Sequence, residues 1–186
     1  MKIQDNPPLH LTYCLNLHPG EAWAENFAAI QTHVLAIRDR VAPGGPFGLG
    51  LRLGDRAARE LAPATRLAEL RDFLAAHGLY AFTVNGFPYG AFHGTAVKEN
   101  VYRPDWRSAE RLDYTVRLAE ILAALLPEGV AGSISTVPVS YKDWMKSEAD
   151  LRPAVENLAE CAHRLEELYR RTGKDIALAL EPEPDC

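Results

Sequence analysis

Four side chains that could bind or transform a small molecule stand at the ends of short apolar segments of this 186-residue chain. The carboxylate of Glu181 could bind a hard divalent cation or remove a proton next to a carbonyl. His18 could serve as a ligand, an acid–base group or a hydrogen-bond donor to a substrate. A buried Arg52 would require an anionic partner, which could be a substrate, Glu181 or another carboxylate, and Asn85 could orient a substrate hydroxyl. The structural alternatives are a solvated loop residue, a turn histidine, an internal ion pair and a strand cap.

A second candidate feature is the segment 85–107, which shows neither helical nor strand periodicity over about 20 residues. Loops of this length in compact domains are usually functional or disordered, and the aromatic residues of this one argue against disorder. We therefore expect a lid or a substrate wall, with Tyr89, His93 and Lys98 as candidate substrate contacts. The alternative is a packed loop that covers an edge of the fold. The aromatic residues are Phe87, Tyr89, Phe92, Tyr102 and Trp106.

The elements that must position these residues alternate between strands and helices. Period-two segments predict strands over 9–18, 47–53, 79–85, 132–137 and 175–181, and 3.6-residue periodicity predicts helices over 21–41, 55–77, 108–126 and 148–172. The second helix contains Pro63, which can interrupt it. This order implies right-handed βαβ crossovers and a parallel sheet. Two architectures satisfy it: an open five-stranded parallel α/β sheet, or part of a (β/α)8 barrel.

The two faces of the predicted strands differ in a way that favours the barrel. One face is apolar and the other is small or polar, as where Gly48, Gly50 and Arg52 alternate with large apolar residues. An open doubly wound sheet has helices on both faces, whereas a barrel has them only outside and places its site at the carboxyl ends of the strands. The sequence therefore predicts the first four and a half βα units of a (β/α)8 TIM barrel, with the open sheet as the alternative.

Composition excludes several classes of function. The net charge is −5 and no basic stripe is visible, so we expect no nucleic-acid partner. No apolar run approaches about 18 residues, so we expect no membrane insertion. Three cysteines without a CxxC pair, and no apolar leader segment, predict a reducing cytoplasmic location. The polar residues at the strand ends indicate instead a small-molecule partner.

Three segments of the sequence resemble one family. The run 82–94, continued through 98–106, is similar to EboE, the metabolite traffic protein family of the ebo gene cluster, and residues 10–21 and 178–184 resemble its first and fifth strand segments. That family belongs to the xylose-isomerase-like TIM barrels, together with sugar phosphate isomerases/epimerases and endonuclease IV. The resemblance implies a (β/α)8 barrel with a site at its C-terminal face.

The resemblance also implies a metal and a missing partner. In the wider superfamily a glutamate near the fifth strand helps to hold a divalent metal, such as Mn, Zn or Mg, and Glu181 matches that position. The remaining ligands come from later strands, and members of the family look about twice as long. Residues 1–186 are therefore expected to form a single domain that is the N-terminal portion of a TIM barrel. Its partner would be the C-terminal half of the barrel or a second chain.

Three functions follow from these expectations. The first is metal-dependent isomerisation or epimerisation of a sugar or cyclitol-like molecule, with Glu181 and His18 as catalytic residues. The second is non-catalytic binding or trafficking of a small metabolite. The third, cleavage of a phosphoester, is disfavoured by the net charge and by the absence of a histidine-rich cluster in the sequence.

Overall fold

The computed structural model of the chain describes residues 1–91, 98–184 and 186. Its centre is a five-stranded parallel sheet with the strand order β3-β4-β5-β6-β7, so the α/β class predicted from the sequence is confirmed. A separate antiparallel hairpin, β1–β2, precedes the sheet. The strands are β1 (Lys2–Asp5), β2 (Pro8–His10), β3 (Thr12–Cys14), β4 (Phe47–Arg52), β5 (Leu79–Asn85), β6 (Gly132–Thr136) and β7 (Ile176–Leu180).

The helices follow the predicted segments, and the interruption at Pro63 is confirmed. The first predicted helix contains one π-helical turn, Ile30–Val34. Local signals set the helix ends: Asp150 and Ser147 form a capping box at the last helix, and Gly173 ends it in the left-handed conformation at φ 69°. The helices are α1 (Trp23–Ala29), α2 (Leu35–Val41), α3 (Asp55–Leu61), α4 (Ala64–Ala76), α5 (Ala109–Leu125) and α6 (Glu148–Thr172). In the part of the chain that the structure describes, no helix is long and apolar enough to span a membrane.

The core lies between one face of the sheet and a layer of helices that contact one another. Phe47, Leu49 and Leu51 of β4 are buried in this core together with apolar residues of the helices, such as Leu61 and Leu118. The strands follow the chain order, and the helices that connect them all belong to this one layer. Because only one face of the sheet is covered by helices, the apolar residues of the strands lie on that face. We call the opposite face, which carries small and polar side chains, the polar face.

Strand β5 differs from the strict alternation expected from its sequence. Strict alternation would place Tyr80 and Phe82 on the same side as Val84. A β-bulge interrupts the pairing with β4, because Leu49 pairs with Ala81 whereas the next residue of β4 pairs with Thr83. One extra residue reverses the side-chain direction beyond it. Tyr80 and Phe82 consequently lie on the polar face, and Val84 is buried in the core.

The segment 9–18 forms two short strands and a 3₁₀ turn in place of one long strand. The hairpin β1–β2 covers the amino end of the polar face, where His10 Nδ1 is 2.9 Å from the hydroxyl of Tyr80 and its ring packs 5.3 Å from that of Phe82. Gly48 permits this close approach, since a Cβ at that position would collide with the backbone of Leu11. The amino end of the polar face is thus closed by aromatic rings and the hairpin.

Candidate functional site

The polar face beyond the hairpin is lined by hydroxyl, amide and small side chains. The strand register places Thr83 beside Ser133 and Asn85 beside Ser135, and the hydroxyl of Ser133 donates to that of Thr83 at 2.9 Å. All four residues are half-buried, and the neighbouring alanines of β7, Ala177 and Ala179, are exposed. Hydroxyl groups both donate and accept hydrogen bonds, so this surface suits a molecule that carries several hydroxyls of its own.

Glu181 lies at the carboxyl end of β7, as the sequence predicts. Its backbone N–H donates to the carbonyl of Thr136 at 3.0 Å, which extends the pairing of β7 with β6. The residue is half-buried, and its carboxylate makes no hydrogen bond or ion pair with the described part of the chain. In the described part of the chain, the Glu181 carboxylate therefore stands at the end of its strand with its oxygens free to contact a ligand.

The divalent metal expected at Glu181 needs more ligands than this arrangement offers. Mn, Zn and Mg sites draw on several oxygen or nitrogen donors. Among residues 1–91, 98–184 and 186, no three His, Cys, Asp or Glu side chains are placed to hold a metal ion. These residues do not make a complete metal site, and the metal remains a prediction from the family resemblance.

Arg52 is buried, 1% exposed, and its guanidinium ties together two loops at the carboxyl ends of the strands. It donates to the carbonyls of Gly20 and Gly90, both at 2.6 Å, and to the carboxylate of Glu21 at 2.9 Å. The anionic partner expected from the sequence is thus an internal carboxylate of the loop between β3 and α1. This geometry gives Arg52 a structural part in shaping the site.

His18 lies on the helix side of the sheet, away from the polar face. Its Nε2 is 2.8 Å from the hydroxyl of Tyr13, which shares the core-facing register of Leu49, and its ring stacks on that of His33 at 4.3 Å. His18 follows the edge strand β3 and Glu181 follows the opposite edge strand β7. Four inter-strand steps of about 4.8 Å separate those strands. The structure does not bring these two proposed catalytic residues together.

Asn85 begins the aromatic loop. Its side-chain oxygen accepts a hydrogen bond at 2.9 Å from the backbone N–H of Phe87, so it fixes the turn that leaves β5. The following Gly86 could not carry a side chain without strain, because a Cβ would come within 2.9 Å of the carbonyl oxygen of Ser135. This close approach draws the start of the loop onto the end of β6.

The segment Gly86–Gly90, which we call the strap, is held by hydrogen bonds to four of its five carbonyls. Arg111 donates to the carbonyls of Gly86 and Phe87 at 2.6 and 3.1 Å, and the hydroxyl of Tyr114, which donates to the carbonyl of Leu53, lies 3.5 Å from that of Pro88. The backbone of Asp55 and the side chain of Arg52 donate to the next two carbonyls, of Tyr89 and Gly90. A segment fixed at four of its five carbonyls forms a wall, because opening it would leave several buried donors unpaired.

The remaining loop residues named from the sequence lie apart from the polar face or outside the described residues. The ring of Tyr89 packs against Tyr114 on the helix side at 5.1 Å, and burial raises the pKa of its hydroxyl. His93 lies outside the described residues. Lys98 begins a 3₁₀ turn, Lys98–Tyr102, and its side chain is likewise outside the description. Beyond the turn, Trp106 is buried beside the end of β6, where its indole N–H donates to the carbonyl of Val137 at 3.3 Å.

Arg111 is the functional-site residue that the sequence interpretation missed. It is fully buried, and besides the strap it binds the carbonyl of Pro104 at 2.7 Å. Burial lowers the pKa of its guanidinium to about 10, so it remains charged at neutral pH. Its burial could have been predicted from helical spacing. Arg111 precedes Thr115 and Leu118 by four and seven residues, so it lies on the buried stripe of α5.

Comparison with known proteins adds no family to this description. No family model matches the chain, and no match to a curated protein or to a solved structure was found. The molecule is accordingly defined by its own fold and site: an α/β protein with a parallel sheet, one layer of helices and a polar face that ends at Glu181.

Proposed function

We propose that this chain is the first half of a (β/α)8-type barrel whose polar face binds a small polyhydroxylated metabolite. The observation that carries the proposal is the division of the sheet into two unlike faces. Helices cover the apolar face, whereas hydroxyl and amide side chains occupy the other, from Thr83 to Ser135. The sequential strand order is that of a barrel, in which each strand pairs with the next along the chain.

A sugar or a cyclitol is the class of ligand that this face suits best. Paired hydroxyls such as those of Ser133 and Thr83 can exchange hydrogen bonds with a ligand that has several hydroxyls. The resemblance to the EboE family supports the same class, and it supports binding or trafficking of a metabolite in the cytoplasm as the role. Binding is the function that the geometry supports most directly.

Isomerisation or epimerisation is the second candidate, and the open carboxylate of Glu181 favours it. A carboxylate in that position would take the proton from the hydroxyl-bearing carbon next to a carbonyl and return it, on the same face, to the former carbonyl carbon. The hydroxyl proton passes to the former carbonyl oxygen through solvent, which completes an isomerisation, whereas epimerisation would need a second acid on the other face. The isomerisation uses Glu181 alone, because His18 lies on the other side of the sheet.

The exposed edge beyond β7 supports the half-barrel proposal. Leu180 of β7 and three apolar residues of α6, Leu151, Val155 and Tyr169, are between 42% and 60% exposed. An apolar strand edge beside an apolar helix flank suits a further βα unit, whether from the remainder of a barrel or from a second chain.

Binding to the polar face is tested by removing its hydroxyls. We expect the double variant Ser133→Ala and Ser135→Ala to weaken binding of the best ligand from a panel of sugars and cyclitols by about tenfold, because each lost hydrogen bond contributes about 0.5–1.5 kcal/mol. Isothermal titration calorimetry provides the measurement. Unchanged affinity in the double variant would rule out the polar face as the binding surface.

Glu181→Gln separates the two candidate functions, with Glu183→Gln as its matched control two residues away on an exposed loop. If the protein is an isomerase, we expect Glu181→Gln to abolish turnover while Glu183→Gln leaves it unchanged, with interconversion of the ligand followed by NMR. If it is a binding protein, neither variant loses more than a few-fold in affinity and no interconversion occurs.

A further inference from the structure

A groove separate from the polar face lies between the strap and the residues that lead into α5. It consists of two adjoining clefts of about 350 and 270 Å³ that share Tyr89 and Arg103. The strap forms one wall, and the segment 100–108 forms the other. Because four of the five carbonyls of the strap are bonded, this wall of the groove is fixed and the groove is preformed, as small-molecule sites usually are.

The guanidinium of Arg103 lies where the two clefts meet, and an aromatic ring holds it in place. Its central carbon is 4.0 Å from the centre of the Trp144 ring, which is the geometry of a cation–π contact. The residue is exposed, and with the described part of the chain its side chain forms neither an ion pair nor a hydrogen bond. Its N–H groups are therefore available to a ligand while the guanidinium rests against the Trp144 ring.

The other charged groups of the groove already have hydrogen-bond or ion-pair partners. Arg107 forms an ion pair with the buried Asp105 at 2.8 Å, and that carboxylate also accepts from the hydroxyl of Ser140 at 2.6 Å. Glu110 accepts a hydrogen bond from the side chain of Ser108 at the start of α5. Arg103 is thus the one charged side chain in the described groove that has neither a hydrogen bond nor an ion pair there.

We propose that this groove binds the phosphate group of a small phosphate ester, with Arg103 as the anion-binding residue. The planar fork of an arginine presents two parallel N–H donors that match two phosphate oxygens. Tyr89, which lines both clefts, contacts the rest of the ligand. The groove shares no residue with the polar face. A negative result for phosphate binding in the groove would therefore leave the proposed binding to the polar face unaffected, and the reverse also holds.

The test is a titration followed by NMR at low ionic strength. The cross-peak of the Trp144 indole N–H reports on the groove, and Trp144→Phe assigns it among the three tryptophans. We expect glycerol 3-phosphate to shift this cross-peak with a dissociation constant on the order of 1 mM, and glycerol to leave it unchanged. Added salt should weaken the binding, because charge interactions at an exposed site are screened.

Arg103→Gln is expected to weaken the binding at least about tenfold, because it removes the charge and the fork. The matched control is Arg152→Gln, which makes the same change at an exposed arginine of α6 and should leave the binding unchanged. Inorganic phosphate that binds as tightly as the ester would support the anion site and identify free phosphate as its source. Equal binding by Arg103→Gln and the unaltered protein, or no shift of the Trp144 cross-peak, would overturn the proposal.

Discussion

Arg111→Met is expected to lower the free energy of unfolding by about 4 kcal/mol. Arg111 is fully buried and supplies hydrogen bonds to the carbonyls of Gly86, Phe87 and Pro104. Methionine fills much of the same volume but donates none, and each buried carbonyl left unpaired costs about 1–3 kcal/mol before relaxation. For a chain of this size the melting temperature should fall by roughly 8–15 °C. Urea and thermal unfolding provide the measurement.

Two further variants keep this prediction falsifiable. Arg111→Lys retains the charge, but the three donors of its ammonium radiate from one nitrogen and do not span the carbonyls that Nε and both Nη atoms reach, so we expect it to lose about half as much stability. Arg66→Met alters an arginine of α4 that is more than half exposed, and it should change the free energy of unfolding by no more than about 0.5 kcal/mol. A loss below about 1 kcal/mol in Arg111→Met would show that the strap is not held by this residue.

Arg52→Met is the second variant with a large expected effect, a loss of about 3 kcal/mol in the free energy of unfolding. It would leave the carbonyls of Gly20 and Gly90 and the carboxylate of Glu21 without their donor. The loss is large because one substitution removes three hydrogen bonds from a charged group, and each such bond contributes about 1.5–3 kcal/mol before water compensates the exposed acceptors. Since Arg52 connects the loop before α1 to the strap, we also expect amide hydrogens near Gly90 to exchange faster in this variant.

A double-mutant cycle identifies which contacts of Arg52 carry that stability. The Glu21 side chain is about one-third exposed, so Glu21→Gln should cost only about 0.5–1 kcal/mol. We expect the coupling energy between the two residues to be below about 1 kcal/mol, because the two carbonyls account for most of the effect. A coupling energy close to the whole loss in Arg52→Met would show instead that the ion pair dominates.

The sequence predicted the order of the elements because that information is local. Apolar periodicity marked four helical regions and five strands, and Pro63 and Gly173 were correctly interpreted as a break and an end. Each of these signals depends on residues within one or two turns of each other. The two unlike faces of the sheet followed in the same way from alternation along each strand.

The candidate site was only partly accessible from the sequence. Glu181 and Asn85 lie at the carboxyl ends of their strands as expected, since a strand end is set by its own residues. The placement of His18 on the helix side was not accessible, because it depends on a 3₁₀ turn after β3 and on contacts with Tyr13 and His33. The bulge in β5 was equally invisible, since a single extra residue leaves the composition of a strand unchanged.

By itself, the sequence determined the α/β class, the element order and the presence of a polar face, all of which depend on short-range patterns. Tertiary structure alone decided that Arg52 and Arg111 donate their hydrogen bonds to carbonyls of the strap. It also decided that Arg103 packs on the ring of Trp144 with its N–H groups open to a ligand. The physical reason is that an arginine's role depends on which acceptors surround it after folding. Those acceptors are backbone carbonyls and a ring from distant segments, which no pattern of side chains along the chain records.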